Sequence, residues 1–203
     1  METITKNIPT LALRGLTVFP RATASFDVER EISIRALERA TDMGQEIFLV
    51  TQRELGTELP EEKDLYEIGT VAHVIQVLRA SSSMVRVIVE GRSRARLRRL
   101  WQREPFLQAQ VELIGETKAV RRGNRTEAML RQTYALFGEY SELTSKLPES
   151  IFTTVMDATD PGYLADFIAQ NINLRYQDKQ SVLEELQPLV RLRRINEILT
   201  REI

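Results

Sequence analysis

Apolar and polar positions follow one period in the first half of this chain and another in the second. Up to Ile114 the spacing is mostly two. Ile68 to Arg79 and residues 85–90 alternate around the polar turn Ser81-Ser82-Ser83, which predicts a hairpin, and residues 95–103 with 106–114 predict another. This half reads as a mainly antiparallel sheet. One helix interrupts it over residues 31–43, where Ile32, Ala36, Leu37, Ala40 and Met43 share a face and Gly44 stands just past the end.

Residues 115–124, GETKAVRRGN, carry two glycines and three cations with little to bury, and predict a linker. Beyond it the period becomes 3.6. Leu130, Thr133, Phe137, Tyr140 and Thr144 fall on one helix face flanked by Met129, Leu136 and Leu143. Asp160 before Pro161 predicts an N-cap with proline at the first helical position, opening a helix that carries Leu164, Phe167 and Ile168 inward. Gln187-Pro188 ends one helix and begins the next. The expected class is therefore α+β: a β-rich part over 1–114, a linker over 115–124 and a helical bundle over 125–203.

The last predicted helix carries an apolar stripe of Leu189, Leu192, Ile195, Leu199 and Ile203 that runs to the final residue without a cap. An apolar side chain left unburied forgoes roughly 1.5 to 3 kcal/mol. The bundle must cover Leu189 and Leu192. For Leu199 and Ile203 the stripe predicts continuation into further chain or pairing with another subunit, and the sequence reads as truncated there.

Composition removes several kinds of chemistry. With 203 residues the chain is long enough to bury a core without staples, and zero cysteines exclude disulfides and thiolate metal sites. Its 28 basic and 29 acidic residues nearly cancel, so only local patches could attract a charged partner. No apolar run exceeds four residues, which predicts neither a signal peptide nor a membrane span. No glycine precedes a lysine, so no P-loop is present. The sole histidine, His73, lies in a strand without a second metal ligand or a nucleophile beside it. Gly91-Arg92-Ser93-Arg94-Ala95 approximates the Gly-x-Ser-x-Gly elbow of hydrolases. That elbow must join a strand to a helix, and the residues after Ser93 alternate as a strand. Gly91 reads instead as a bend or bulge, and no catalytic, cofactor or metal residue is expected.

Three segments in order, LALRGLTVFP from Leu11 to Pro20, DLYEIGTVA from Asp64 to Ala72 and VIVEGRSRA from Val87 to Ala95, resemble the amino-terminal substrate-recognition domain of the Lon ATP-dependent proteases. EISIRALERA, IFLVTQ and DPGYLADFIA stand at the distances that family implies, and the resemblance runs from Ile8 to the end. Ala12 departs from the proline usual in the LPLR-type motif, and Gly15 from the usual aspartate or asparagine. The resemblance implies a PUA-like β subdomain followed by a helical one. It also implies recognition of unfolded, damaged or tagged proteins for an ATP-driven unfoldase and serine protease, and support of a homohexamer in the cytoplasm. Nucleotide, magnesium and the proteolytic serine and lysine would belong to other domains.

Two surfaces are candidates for binding. Val18, Phe19, Pro20, Met84 and Trp101 stand at strand ends and turns, where they either plug the barrel or offer adaptable apolar surface to unfolded clients. Arg92, Arg94, Arg96, Arg98, Arg99 and Arg103 form a cationic run whose even-numbered members share a strand face. That face is either solvated, paired with the acidic segment of Glu58, Glu61, Glu62 and Asp64, or a site for nucleic acid. The nucleic-acid option would make the chain a stand-alone binding module, and an adaptor of the same fold is a third reading. Leu192, Ile195, Leu199 and Ile203 are the candidate assembly helix.

Overall fold

Why a strand should be apolar on both sides becomes clear from what surrounds it. In the computed structural model, which describes residues 2–115, 120–145 and 147–203, the two strands β1 (Thr5–Leu13) and β3 (Glu46–Thr51) run parallel at the centre of a sheet. One parity of their side chains, Ile8 and Ala12 with Phe48 and Val50, joins Val71, Ala95, Leu97, Ala109 and Val111 in one cluster. The other parity, Leu11 and Leu13 with Ile47 and Leu49, meets Leu37 and Ala40 of helix α1 (Glu31–Asp42) in a second. Both faces are covered, so both parities are apolar.

The remaining strands are β2 (Thr23–Val28), β4 (Ile68–Arg79), β5 (Val85–Gln102) and β6 (Gln108–Leu113). The order is β2-β5-β4-β3-β1-β6, and β5 also pairs with β6. That extra pairing closes β5, β4, β3, β1 and β6 into a barrel and leaves β2 on the outside of the first half of β5. Apart from β1–β3, every pairing is antiparallel.

Residues 85–102 differ from expectation: they are one 18-residue strand, not two strands meeting at Gly91. Between the pairs Ala72↔Gly91 and Val71↔Ser93 the register slips, and Arg92 is the additional residue. A bulge of this kind bends a strand without ending it. It lets β5 serve β2 and β4 with its first half and β4 and β6 with its second. Gly91 is required there because a Cβ would stand 2.1 Å from the Phe19 carbonyl oxygen.

The chain divides into two compact units, 1–116 and 117–203. Of the expected linker, residues 116–119 lie outside the described residues. The second unit comprises α2 (Asn124–Leu143), α3 (Glu149–Asp157), α4 (Pro161–Asn171), α5 (Tyr176–Glu184) and α6 (Pro188–Glu202). Leu130, Thr133, Phe137 and Tyr140 are buried along α2. The Asp160 carboxylate accepts from the Tyr163 backbone N–H at 2.8 Å, and Pro161 follows it, as the sequence predicts. Helix α6 packs on α2 and α4. Buried Arg191 ties it to α4 by donating to the Asp166 carboxylate at 3.2 Å, and it also reaches the carbonyl oxygens of Glu185, Gly162 and Leu186. The architecture is α+β, a β-barrel unit with one α-helix and a helical unit.

Candidate functional site

Placed on this framework, the candidate apolar residues do not form one surface. Val18 is 2% exposed and Phe19 is fully buried. The cause is main-chain bonding of their segment to the barrel. The Val18 carbonyl accepts from the Thr70 hydroxyl at 2.7 Å, the Arg21 N–H donates to Gly91, and the Gly91 N–H donates to Ala22. Val18 and Phe19 are therefore core residues and offer no accessible surface; of that segment only Pro20 is half-buried. Met84, also half-buried, sits at the β4–β5 turn, where its carbonyl accepts from the Ala80 and Ser81 amides. Trp101 is 43% exposed near the other end of β5. It stands seventeen positions along the chain from Met84, on the order of 50 Å of strand.

Arginines on β5 likewise fail to make a free cationic face. Arg92 pairs with Glu90 at 3.4 Å and Arg96 with Glu67 at 3.5 Å, while Arg98 bonds Glu112 across to β6. Arg94 is buried. Arg103 donates to the carbonyls of Leu59 and Pro60 and lies 4.0 Å from Glu61. Glu62 accepts the Leu100 amide at 2.7 Å, and Asp64 accepts the Glu61 amide. The acidic segment thus folds against the end of β5. Arg92, Arg96, Arg98 and Arg103 already have acids of this chain beside them, so the nucleic-acid reading is not favoured.

The assembly stripe is also absorbed. Leu192, Ile195 and Leu199 are fully buried between α6 and its neighbours; Ile203 alone is exposed, at 39%. Leu199 finds its cover within the bundle because α6 is flanked by both α2 and α4. Ser93 and His73 lie on β5 and β4, opposite Val71 and Glu90, and no helix follows Gly91, so the hydrolase elbow is not formed.

A surface that sequence reasoning missed stands at the far end of β4. Strand β3 pairs with β4 only as far as Glu46↔His73, and the last contact on that side is the Val74 amide donating to the Gln45 carbonyl at 2.7 Å. β4 continues to Arg79. Residues 75–79 are all exposed, with Ile75 at 48%, Val77 at 41% and Leu78 at 45%. Opposite them on β5, Val85 and Val87 are buried in the cluster under α1. The signal was present in the sequence: Val77-Leu78 puts apolar residues on both parities, and the six residues of β3 cannot cover the twelve of β4.

A second concavity in this unit is a groove of about 730 Å³ between the start of α1 and the β5–β6 turn, with Ile32, Leu59 and Pro105 among its walls. Both of its cations are engaged. Arg35 pairs with Glu31, and Arg30 donates to the carbonyls of Ala12 and Glu58. Burial pushes the Arg30 guanidinium below its ordinary value, as expected of a cation used to tie main chain together.

The geometry of the β unit is that of a barrel with an exposed apolar edge at the end of β4. A family model described as the ATP-dependent protease La (LON) substrate-binding domain matches residues 7–201. The chain belongs to this Lon family. It is 37% identical over 203 residues to a Lon protease of Desulforamulus reducens, covering 100% of the chain and 25% of that relative. It is 39% identical over 197 residues to the Lon protease of Brevibacillus choshinensis, covering 97% and 25%. The chain thus spans about a quarter of the length of the curated relatives it matches. The solved N-terminal domain of a Mycobacterium avium complex Lon protease shares the fold, with a TM-score of 0.77 at 19% identity over 98% of this chain and 100% of that one. A Lon N-terminal domain protein from Xanthomonas campestris superposes with a TM-score of 0.65 at 13% identity, covering 96% and 98%. Among the described residues of this Lon domain, no helix is long and apolar enough to cross a membrane.

Proposed function

We propose that these residues recognise protein substrates for a Lon-type ATP-dependent serine protease, holding unfolded, damaged or degron-bearing chains for delivery to its unfoldase. On this reading the domain performs no chemistry itself. ATP and magnesium act in an ATPase module, the peptide bond is cut in a third module, and the whole assembles as a cytoplasmic homohexamer. The observation that carries the reading is the exposed apolar end of β4: Ile75, Val77 and Leu78 on a strand held by a closed barrel. A recogniser of many sequences needs open apolar surface with little shape of its own. Rigid support under it limits the ordering cost of each binding event.

Such binding is apolar and hence weakly screened by salt. The chain is expected to bind a permanently unfolded, reduced and alkylated protein with an affinity nearly constant from low to moderate salt, and to ignore the same protein when folded. Replacing Ile75, Val77 and Leu78 together by serine should abolish most of that binding while the chain still unfolds cooperatively, at a somewhat lower melting temperature. Equal binding of folded and unfolded forms, or none of either, would reject the reading.

A further inference from the structure

Antiparallel pairing fixes which main-chain groups of β4 are free. The Ala80 amide donates to the Met84 carbonyl at 3.0 Å, so Ala80 points toward β5. Orientation alternates along an antiparallel strand. Arg79 and Val77 therefore turn their N–H and C=O groups away from β5, and Leu78 and Gln76 turn theirs toward it, opposite Arg86 and Ile88. Val74 obeys the same alternation across the slip at Ile75, since its amide points away from β5 to reach Gln45. Beyond that bond no strand among the described residues lies on the outer side of β4. Val77 and Arg79 thus present two donors and two acceptors in line with β3, on an edge that carries Val77 on one face and Leu78 on the other, with Gln76 and Arg79 as its polar positions.

The other outer strand, β2, is protected. Thr23, Ser25 and Asp27 are its exposed positions, and Asp27 is held by Arg86 at 2.9 Å. Polar and charged positions of this kind are how natural sheets prevent edge pairing. The free end of β4 carries Ile75, Val77 and Leu78, with Gln76 and one charge, Arg79, at its tip.

We infer that the Val77–Arg79 edge of β4 captures clients by strand addition: an extended, apolar segment of an unfolded protein pairs with it where β3 leaves off. This rests on the substrate-recognition reading above and specifies what is recognised. Water satisfies such free main-chain groups one by one; the protein partner that matches a row of them together is another extended chain. Val77 borders the buried Val85 and Val87, while Leu78 shares the opposite face with Ile88, so the added strand meets apolar surface on both sides. The preferred client is then a segment that would be an interior strand in its own native fold, not an amphipathic helix. A second copy of this chain is the weaker occupant. The free edge spans five residues, about 17 Å, and two such edges would bury far less than the roughly 1,200 Å² of a stable specific interface.

The test uses a Val- and Ile-rich peptide of about eight residues, a strand's length, with glutamates at its ends. Its comparison forms are the same peptide N-methylated at all interior residues and an amphipathic helical peptide of matched hydrophobicity. The intact 203-residue chain should bind the extended peptide and protect the amides of Val77 and Arg79 from hydrogen exchange. Removing one edge donor while proline remains tolerable on an edge strand, Val77→Pro should weaken binding about tenfold. Val77→Thr, which keeps the N–H, should weaken it only about twofold by trimming apolar contact. Methylation should abolish binding by the parent chain, which decides the matter even if Val77→Pro does not fold. Equal binding of the methylated or helical peptide, or Val77→Thr costing as much as Val77→Pro, would overturn strand addition while leaving apolar client binding intact. Failure to bind any unfolded protein would reject both, and peptide-independent dimers protecting the same amides would assign the edge to a second copy.

Discussion

Single residues in this domain matter in proportion to what stands around them, and its glycines show the range. Gly91 lies where the Phe19 segment crosses β5, and an added Cβ would meet the Phe19 carbonyl oxygen at 2.1 Å and its carbon at 2.9 Å. Neither partner is free to move, because the Arg21 and Gly91 amides are bonded across the same crossing. Gly91→Ala is expected to destabilise the β unit by at least about 2 kcal/mol, since backbone must shift. Gly138 is the opposite case. It lies inside α2, and a methyl group added there would have nothing within 4 Å of it, so Gly138→Ala should stabilise by about 0.5–1 kcal/mol through helix propensity. Urea midpoints of the two variants measure both effects, and a neutral Gly91→Ala would mean that the Phe19 crossing is not held as described.

At the scale of elements, the helical unit holds its last helix with charge as well as apolar contact. Asp178 on α5 is buried, and Arg201 on α6 reaches its carboxylate at 2.7 Å while Arg175 lies at 3.3 Å. Burial alone would raise this carboxyl, but hydrogen bonds from Arg201 and Arg175 outweigh it and hold it below its ordinary value. A lowered folded-state pKa contributes stability that is complete above the unfolded value near 3.8 and is lost as pH falls through the folded one. Asp178→Asn should therefore cost roughly 1–3 kcal/mol at neutral pH. That difference should shrink as thermal unfolding is followed below about pH 4; a gap independent of pH would assign the loss to packing. None of this network was legible in the sequence, because Asp178 and Arg201 are 23 positions apart and only the fold brings them together. What was legible were the periods: α1, the β4–β5 hairpin and the Asp160-Pro161 helix start all follow from local pattern. Burial of Val18, Phe19 and Leu199 was not, since it depends on which neighbours arrive from elsewhere: Thr70 and Gly91 for the first two, α2 and α4 for the third. Pairing of the arginine run with the acidic segment was one of the alternatives the sequence offered, and Arg103 does lie by Glu61; Glu67 and Glu112, which hold Arg96 and Arg98, come from elsewhere in the fold and were not legible.

For the molecule as a whole, the question is whether its two units stand on their own cores. The barrel unit has two apolar clusters drawn wholly from residues 8–113. The helical unit buries Phe137, Val155, Leu164, Ile168, Leu183, Leu192 and Ile195 among its own helices. Domains with separate cores fold as separate units, and chain between them is the preferred site of proteolytic nicking. Arg121 and Arg122 are exposed, lie outside any helix or strand and precede α2. By contrast, every arginine from 92 to 99 lies within β5, which is held by β4 up to Arg96 and by β6 from Ala95 onward. Brief trypsin treatment should therefore cut first at Arg121, Arg122 or the neighbouring Arg125 and release a β fragment and a helical fragment that resist further digestion. Expressed separately, residues 1–116 and 117–203 should each unfold cooperatively, and the β fragment alone should retain client binding through β4. First cuts inside β5, or a β fragment that melts without a transition, would show that the barrel depends on the helical unit for its stability.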